Sequence, residues 1–198
     1  MVIEMAAAFT QQEEAIILNK LQRAARECAV SPGVRRTTVD ALAAAAGISK
    51  GAFYKFYVSK ELLFFDVLED MHAEIYGDSA AVLAKNAHLS PADRASKALL
   101  SACQAMECSG MMAFVERDAA YLLRKVPQDY QKIHYHSDET HIRKLLESAG
   151  LTPKGGMALA SSVVRGLMLT ISHRHEIGAL YPDVLETLVR GACRQLFS

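Results

Sequence analysis

The chain has 198 residues, of which 51% are hydrophobic and 22% charged, with a formal net charge of zero. That balance excludes a disordered or fibrous chain and leaves room for one large or two small domains with real cores. The opening MVIEMAAAF carries Glu4 and no Lys or Arg, and nowhere do about 18 uncharged apolar residues follow one another, so neither a secretory signal nor a membrane span is expected and the location is expected to be cytoplasmic.

Five prolines (Pro32, Pro91, Pro127, Pro153, Pro182) fall where helical periodicity breaks, and no stretch alternates with the period of a strand. The expected fold is therefore all-α, with about nine helices over 10–29, 38–45, 49–56, 59–85, 91–109, 111–125, 128–149, 153–178 and 183–197. In the first, Ile17, Leu21, Ala24, Ala25 and Cys28 fall on one stripe, and Ser31 to Gly33 ends it. Further on, SPAD (Ser90 to Asp93) and TPKG (Thr152 to Gly155) read as helix starts, with a capping hydroxyl followed by Pro at the first helical position. The four cysteines (Cys28, Cys103, Cys108, Cys193) are scattered, which favours reduced thiols packed as small hydrophobes over a disulfide frame or a zinc site.

Charge is unevenly spread. From Lys20 to Lys60 eight basic residues face two acids, a local +6 on an otherwise acidic body. Such a run is either a plain solvated face or a footprint for phosphate.

The segment that decides between these is AAAAGISKGAFYKFY, Ala43 to Tyr57. Thr37 followed by Asp40 resembles a capping box, and Val39, Leu42, Ala43 and Ala46 then recur at helical spacing. Gly47 stands where a left-handed residue stops a helix, and Ser49 can cap the next. Two short helices joined by a tight glycine turn make a helix-turn-helix, with Ile48 and Phe53 as its apolar plug. The second helix presents Lys50, Gly51, Ala52, Tyr54 and Lys55, small and cationic where a recognition helix enters a major groove.

TTVDALAAAAGISKGAFYKFYVSKELLFFDVLED, Thr37 to Asp70, resembles the DNA-binding module of the TetR/AcrR family, whose pattern runs roughly T-x-x-x-I-A-x-x-A-G-V-S-x-G-x-x-Y-x-Y-F-x-S-K-E-x-L. The resemblance implies a helix-turn-helix, three-helix DNA-binding domain over 1–58 (motif about 38–57) and a helical effector-binding and dimerisation domain over 59–198. Thr38, Lys50, Tyr54 and Lys60 align with positions that touch DNA in the family, with Gly51, Ala52 and Lys55 at or beside them; Arg36 and Thr37 complete the expected set. Three departures stand out, namely Phe56 for a usual tyrosine, Tyr57 for a usual phenylalanine and Val58 for a usual proline. The first removes a phosphate-binding hydroxyl, so Phe56 is left out of the set.

Beyond Lys60 no motif recurs. Leu167, Met168, Ile171, Leu185, Leu188, Val189, Ala192 and Leu196 make a broad apolar face on the last two helices. It is either an intramolecular core or half of a four-helix homodimer interface, and the resemblance favours the second. CSGMMAFVERDAAYLLRKVP is rich in Met and aromatics, and Met112, Phe114 and Tyr121 are the candidates for binding a largely apolar small-molecule effector; plain core is the competing reading. In HYHSDETH, His134, Asp138 and His141 lie at i, i+4, i+7, a feasible ligand set, but surface or capping histidines with salt-linked neighbours are the favoured reading, while His173 and His175 point apart. No metal and no cofactor is assigned. The reading is a non-enzymatic, ligand-responsive regulator, a repressor that binds a pseudo-palindromic double-stranded DNA operator as a homodimer with no membrane partner. The alternatives are a metal- or redox-responsive regulator of the same fold and a helical protein-interaction adaptor.

Overall fold

A computed structural model describes residues 9–171 and 173–197, apart from the side chains of 133 and 135–138. Among the described residues every regular element is helical. The helices are α1 (Gln11–Val30), α2 (Val39–Ala46), α3 (Lys50–Phe56), α4 (Lys60–Lys85) and α5 (Pro91–Cys108). They continue with α6 (Met111–Lys125), α7 (Gln128–Ser148), α8 (Met157–Ile171) and α9 (Tyr181–Phe197). No single helix among these is long and apolar enough to cross a membrane. The chain divides into two compact units, one up to Val67 and one from Leu68, with the division inside α4.

Local chemistry explains most of the helix ends. Thr10 caps α1 in a reciprocal box with Glu13, and the buried stripe of α1 is Ile17, Leu21, Ala24, Ala25 and Ala29, with Cys28 only partly covered. Ser90 accepts from the Asp93 amide and Pro91 opens α5, as the SPAD pattern requires. The TPKG pattern, by contrast, does not start a helix. Gly155 and Gly156 take φ of +81° and +87°, a left-handed pair that no helical turn includes, so α8 begins at Met157. Its preceding loop is held elsewhere, because the Lys154 amide donates to the Leu196 carbonyl at 2.7 Å and satisfies one of the orphan acceptors at the end of α9. At its other end α8 stops at Ile171, and a single turn (Arg174–Ile177) and a 3-10 turn (Gly178–Leu180) lead into α9, so the expected helix over 153–178 is shorter at both ends.

In the second unit α9 packs on α5 and α8 around Leu83, Ala98, Ile142, Leu185, Val189 and Cys193. Arg94 ties three helices together, its Nε donating to the Leu83 carbonyl at 2.6 Å and its Nη1 to the Ala149 carbonyl at 2.7 Å, near the ends of α4 and α7. The cysteines are free thiols; burial pushes the Cys103 thiol up to about 11, which leaves it protonated and inert near neutral pH.

The turn between α2 and α3 rests on Gly47, at φ +74° with nothing within 4 Å of where a Cβ would stand. The cost of an alanine there is therefore conformational rather than steric. Gly47→Ala should lower stability to urea unfolding by about 1–2 kcal/mol, whereas Gly51→Ala, with only the Ser49 hydroxyl 3.9 Å from the added carbon and no positive φ, should hold that stability or raise it by up to about 1 kcal/mol, because alanine is the better helix former.

Candidate nucleic-acid interface and apolar cavity

In the first unit the helix-turn-helix closes by backbone bonds. The Ile48 amide donates to the Ala43 carbonyl at 3.0 Å and the Gly47 amide to the Ala44 carbonyl at 3.1 Å, which is the paired closure that a left-handed residue permits. Ser49 then caps α3 by accepting from the Ala52 amide at 3.1 Å. Phe53 is wholly buried, as are Leu42, Ala43 and Ala46 on α2, and the small alanines let α2 pack against both α1 and α3. The cap of α2 is Thr38, which accepts from the Ala41 amide at 3.1 Å, and not Thr37 as the spacing to Asp40 suggests. Thr37 is buried and its hydroxyl donates to the Gly33 carbonyl at 2.8 Å, so it shapes the loop between α1 and α2.

Arg36, Thr38, Lys50, Gly51, Tyr54 and Lys55 are exposed and Ala52 is half-buried. Tyr54 is 52% exposed although its ring meets Phe53 edge-on at 5.5 Å, so its apolar face has support while the rest faces water. Gly51 has room for a side chain, so its smallness benefits only what approaches α3 from outside. Lys50 Nζ lies 2.9 Å from Asp40 Oδ2, and this hydrogen bond, together with the carboxylate's charge, raises the ammonium pKa and keeps it cationic. Lys55 Nζ sits 5.4 Å from the Phe9 ring centroid. Lys60 is half-buried and turned inward, donating to the carbonyls of Val34 at 2.8 Å and Thr37 at 2.6 Å. The swapped aromatics also separate: Tyr57 is buried with its ring 6.1 Å from that of Phe53, Phe56 is half-buried 5.8 Å from Phe9, and Val58 is 82% exposed.

The second unit holds a cavity of about 660 Å³, within the range of small-molecule sites. Its wall is mostly apolar, with Leu68, His72, Ile75 and Tyr76 of α4 meeting Gln131 and His134 of α7. Met112, Phe114 and Tyr121 are not among its lining residues; from α6 these are Val115, Ala119, Ala120, Leu123 and Arg124. Met112 and Phe114 are buried in the core instead, and the Met112 sulfur accepts from Arg174 at 3.7 Å. Tyr121 follows the π-helical turn Val115–Ala119, which takes up extra residues per turn and moves later positions off the regular helical stripe.

At one side of the cavity the His134 Nδ1 bonds Glu69 Oε1 at 2.5 Å, and His72 stacks on His134 with ring centroids 5.2 Å apart. Burial alone would raise the Glu69 pKa, but the bond from His134 and the nearby charges of His134, His72 and His141 outweigh it and hold the carboxyl below its ordinary value. Of the three residues that HYHSDETH offers as a feasible ligand set, His134 is in this cluster, His141 stacks on Tyr76 at 4.9 Å, and the Asp138 side chain lies outside the described residues. Glu69 and His72 were legible only as an i, i+3 pair on one helix.

On α8 and α9, Leu167, Ile171, Leu185, Val189 and Leu196 are buried within the chain and Met168 and Ala192 are half-buried, so most of the expected partner face is core; Leu188 is exposed. A different stripe faces outward, comprising Leu159, Ser162, Gly166 and Leu169 on α8 and Leu188 and Gly191 on α9.

Residues 21–67 match the family described as bacterial regulatory proteins, tetR family. No curated protein sequence matches the chain. Among solved structures, a TetR transcriptional regulator from Rhodococcus sp. RHA1 is similar at 20% identity and a TM-score of 0.67, over 92% of this chain and 96% of that one. RolR in complex with the ligand resorcinol is similar at 18% identity and a TM-score of 0.63, over 92% and 89%. NalD, the secondary repressor of the MexAB-OprM multidrug efflux pump in Pseudomonas aeruginosa, is similar at 18% and 0.59, over 94% and 98%. At these identities the likeness concerns the fold.

Since Lys60 holds two loop carbonyls that would otherwise lose a charged donor, Lys60→Met should destabilise the chain by about 2–3 kcal/mol in urea unfolding followed by circular dichroism.

Proposed function

We propose that this chain, whose residues 21–67 belong to the TetR family of bacterial regulatory proteins and whose fold is TetR-like, is a ligand-responsive transcriptional repressor that binds a pseudo-palindromic operator as a homodimer and is released by a small molecule. The observation that carries this reading is the exposed N-terminal half of α3, small at Gly51 and Ala52 and flanked by Lys50, Tyr54 and Lys55, behind a turn closed at Gly47. In this reading α3 enters the major groove, with Arg36, Thr38, Lys50, Tyr54 and Lys55 reaching phosphates or base edges. Thr37 and Lys60 contribute from behind, by shaping the loop that leads into α2. Two copies in a dimer would present two recognition helices about 34–36 Å apart, one turn of duplex.

The cavity supports an effector that is mostly apolar and carries a polar group to meet His72, Tyr76, Gln131 or His134. The resorcinol held by RolR supports a small-molecule ligand for a fold of this kind. Because α4 carries Lys60 in its first turn and lines the cavity farther along, an occupant that shifts the later turns of α4 would act on the helix whose first turn also braces the loop before α2. Ligand and operator would then favour different states of one element, which is the requirement for coupling. The outward stripe of α8 and α9 is the surface we assign to the homodimer, since Gly166 and Gly191 leave open space for close approach and Leu159, Leu169 and Leu188 supply apolar area.

Fluorescence anisotropy with DNA from upstream of the chain's own coding region tests the interface. Lys50→Ala and Tyr54→Ala should each weaken binding by about tenfold or more, with affinity falling steeply between about 50 and 200 mM salt. Asp40→Asn, which frees Lys50 from its carboxylate partner, should tighten it; unchanged affinity in all three variants would place the recognition surface elsewhere. Sedimentation equilibrium tests the assembly: Leu188→Glu should shift dimer to monomer, and a dimer that survives it overturns the assigned surface.

A further inference from the structure

We propose that Glu69, His72 and His134 form a binding site for a divalent transition-metal ion of the zinc class in the wall of the cavity. Their ligand atoms all lie within 4.8 Å of one another. Glu69 and His72 stand at i, i+3 on α4 and His134 faces them from α7, so two rigid helices supply the donors. An i, i+3 Glu/His pair on one helix completed by a ligand from a facing helix is how helical bundles assemble metal sites in their interiors. Two imidazoles and one carboxylate suit zinc and its neighbours rather than magnesium or calcium, which favour all-oxygen shells.

The geometry needs only a small adjustment. Glu69 Oε1 is 2.5 Å from His134 Nδ1 and 4.0 Å from His72 Nδ1, whereas donors on a tetrahedral ion with bonds of about 2.0–2.1 Å sit about 3.3–3.4 Å apart. A rotation of the half-exposed Glu69 carboxylate toward His72 evens these separations, with the buried His134 ring kept in place by its stacking on His72. Three protein donors leave a fourth position on the ion, and His72 and His134 both line the cavity. The ion would thus give the cavity a Lewis-acidic point at which an oxygen or nitrogen of an occupant could bind. The site stands on its own residues and does not depend on the DNA-binding reading.

The test is isothermal titration of the EDTA-treated, tag-free full chain with zinc chloride, without DNA, alongside cobalt(II) absorption. One equivalent per chain should bind; E69Q and H72Q, whose positions are partly exposed, should each weaken binding at least about tenfold while circular dichroism stays that of the parent. Cobalt should give weak visible bands without a thiolate charge-transfer band, and C108S should bind as the parent does. Failure to bind one equivalent, affinity retained in both E69Q and H72Q, or a thiolate band would overturn the proposal, leaving Glu69 and His134 as a hydrogen-bonded pair that orders the cavity wall.

Discussion

One ammonium group organises the first unit. Lys60, at the head of α4, donates to the carbonyls of Val34 and Thr37 in the loop between α1 and α2. That loop has to deliver Thr38 as the cap of α2, and only then does α2 lead through Gly47 into α3 at the angle that exposes Lys50 and Tyr54. A charged donor on neutral carbonyls is stronger than an amide in the same place. It also cancels none of its charge, so the cation that builds the loop keeps contributing to the positive field of the same unit. The resemblance places Lys60 among DNA-touching positions; in this chain two of its three ammonium donors are spent on the scaffold.

What was legible in the sequence was whatever is decided within a turn or two of chain. Gly47, Ser49 and Ser90 are caps whose partners lie within five residues, and each is found as expected. The near misses are local conflicts that single positions could not resolve. Thr37 and Thr38 are both capping residues, and the structure uses the second because the first is buried under Gly33. TPKG is a sound start signal that fails because a second glycine follows and the Lys154 amide finds the end of α9.

The apolar face of the last two helices was ambiguous in sequence for another reason. Periodicity states that Leu167, Ile171, Leu185, Val189 and Leu196 are covered, not by what, and here α5 and the chain's own α8 and α9 cover them. The cavity is the extreme case, since its wall draws on α4 through α9 and no stretch of a dozen residues contains it. Even so, a Glu and a His three apart on α4 were visible; what was not visible is that α7 would bring His134 against them.

The π turn in α6 has a consequence for how such a wall can change over generations. A helix that already absorbs a surplus residue at Val115–Ala119 stores an insertion without breaking. Losing one codon there would return the helix to regular winding while the turns on either side keep their faces, so the change in the cavity wall would be confined to the residues of the bulge, Val115 and Ala119 among them. The π turn thereby lets this stretch of wall gain or lose a residue at one point without re-registering the helix around it.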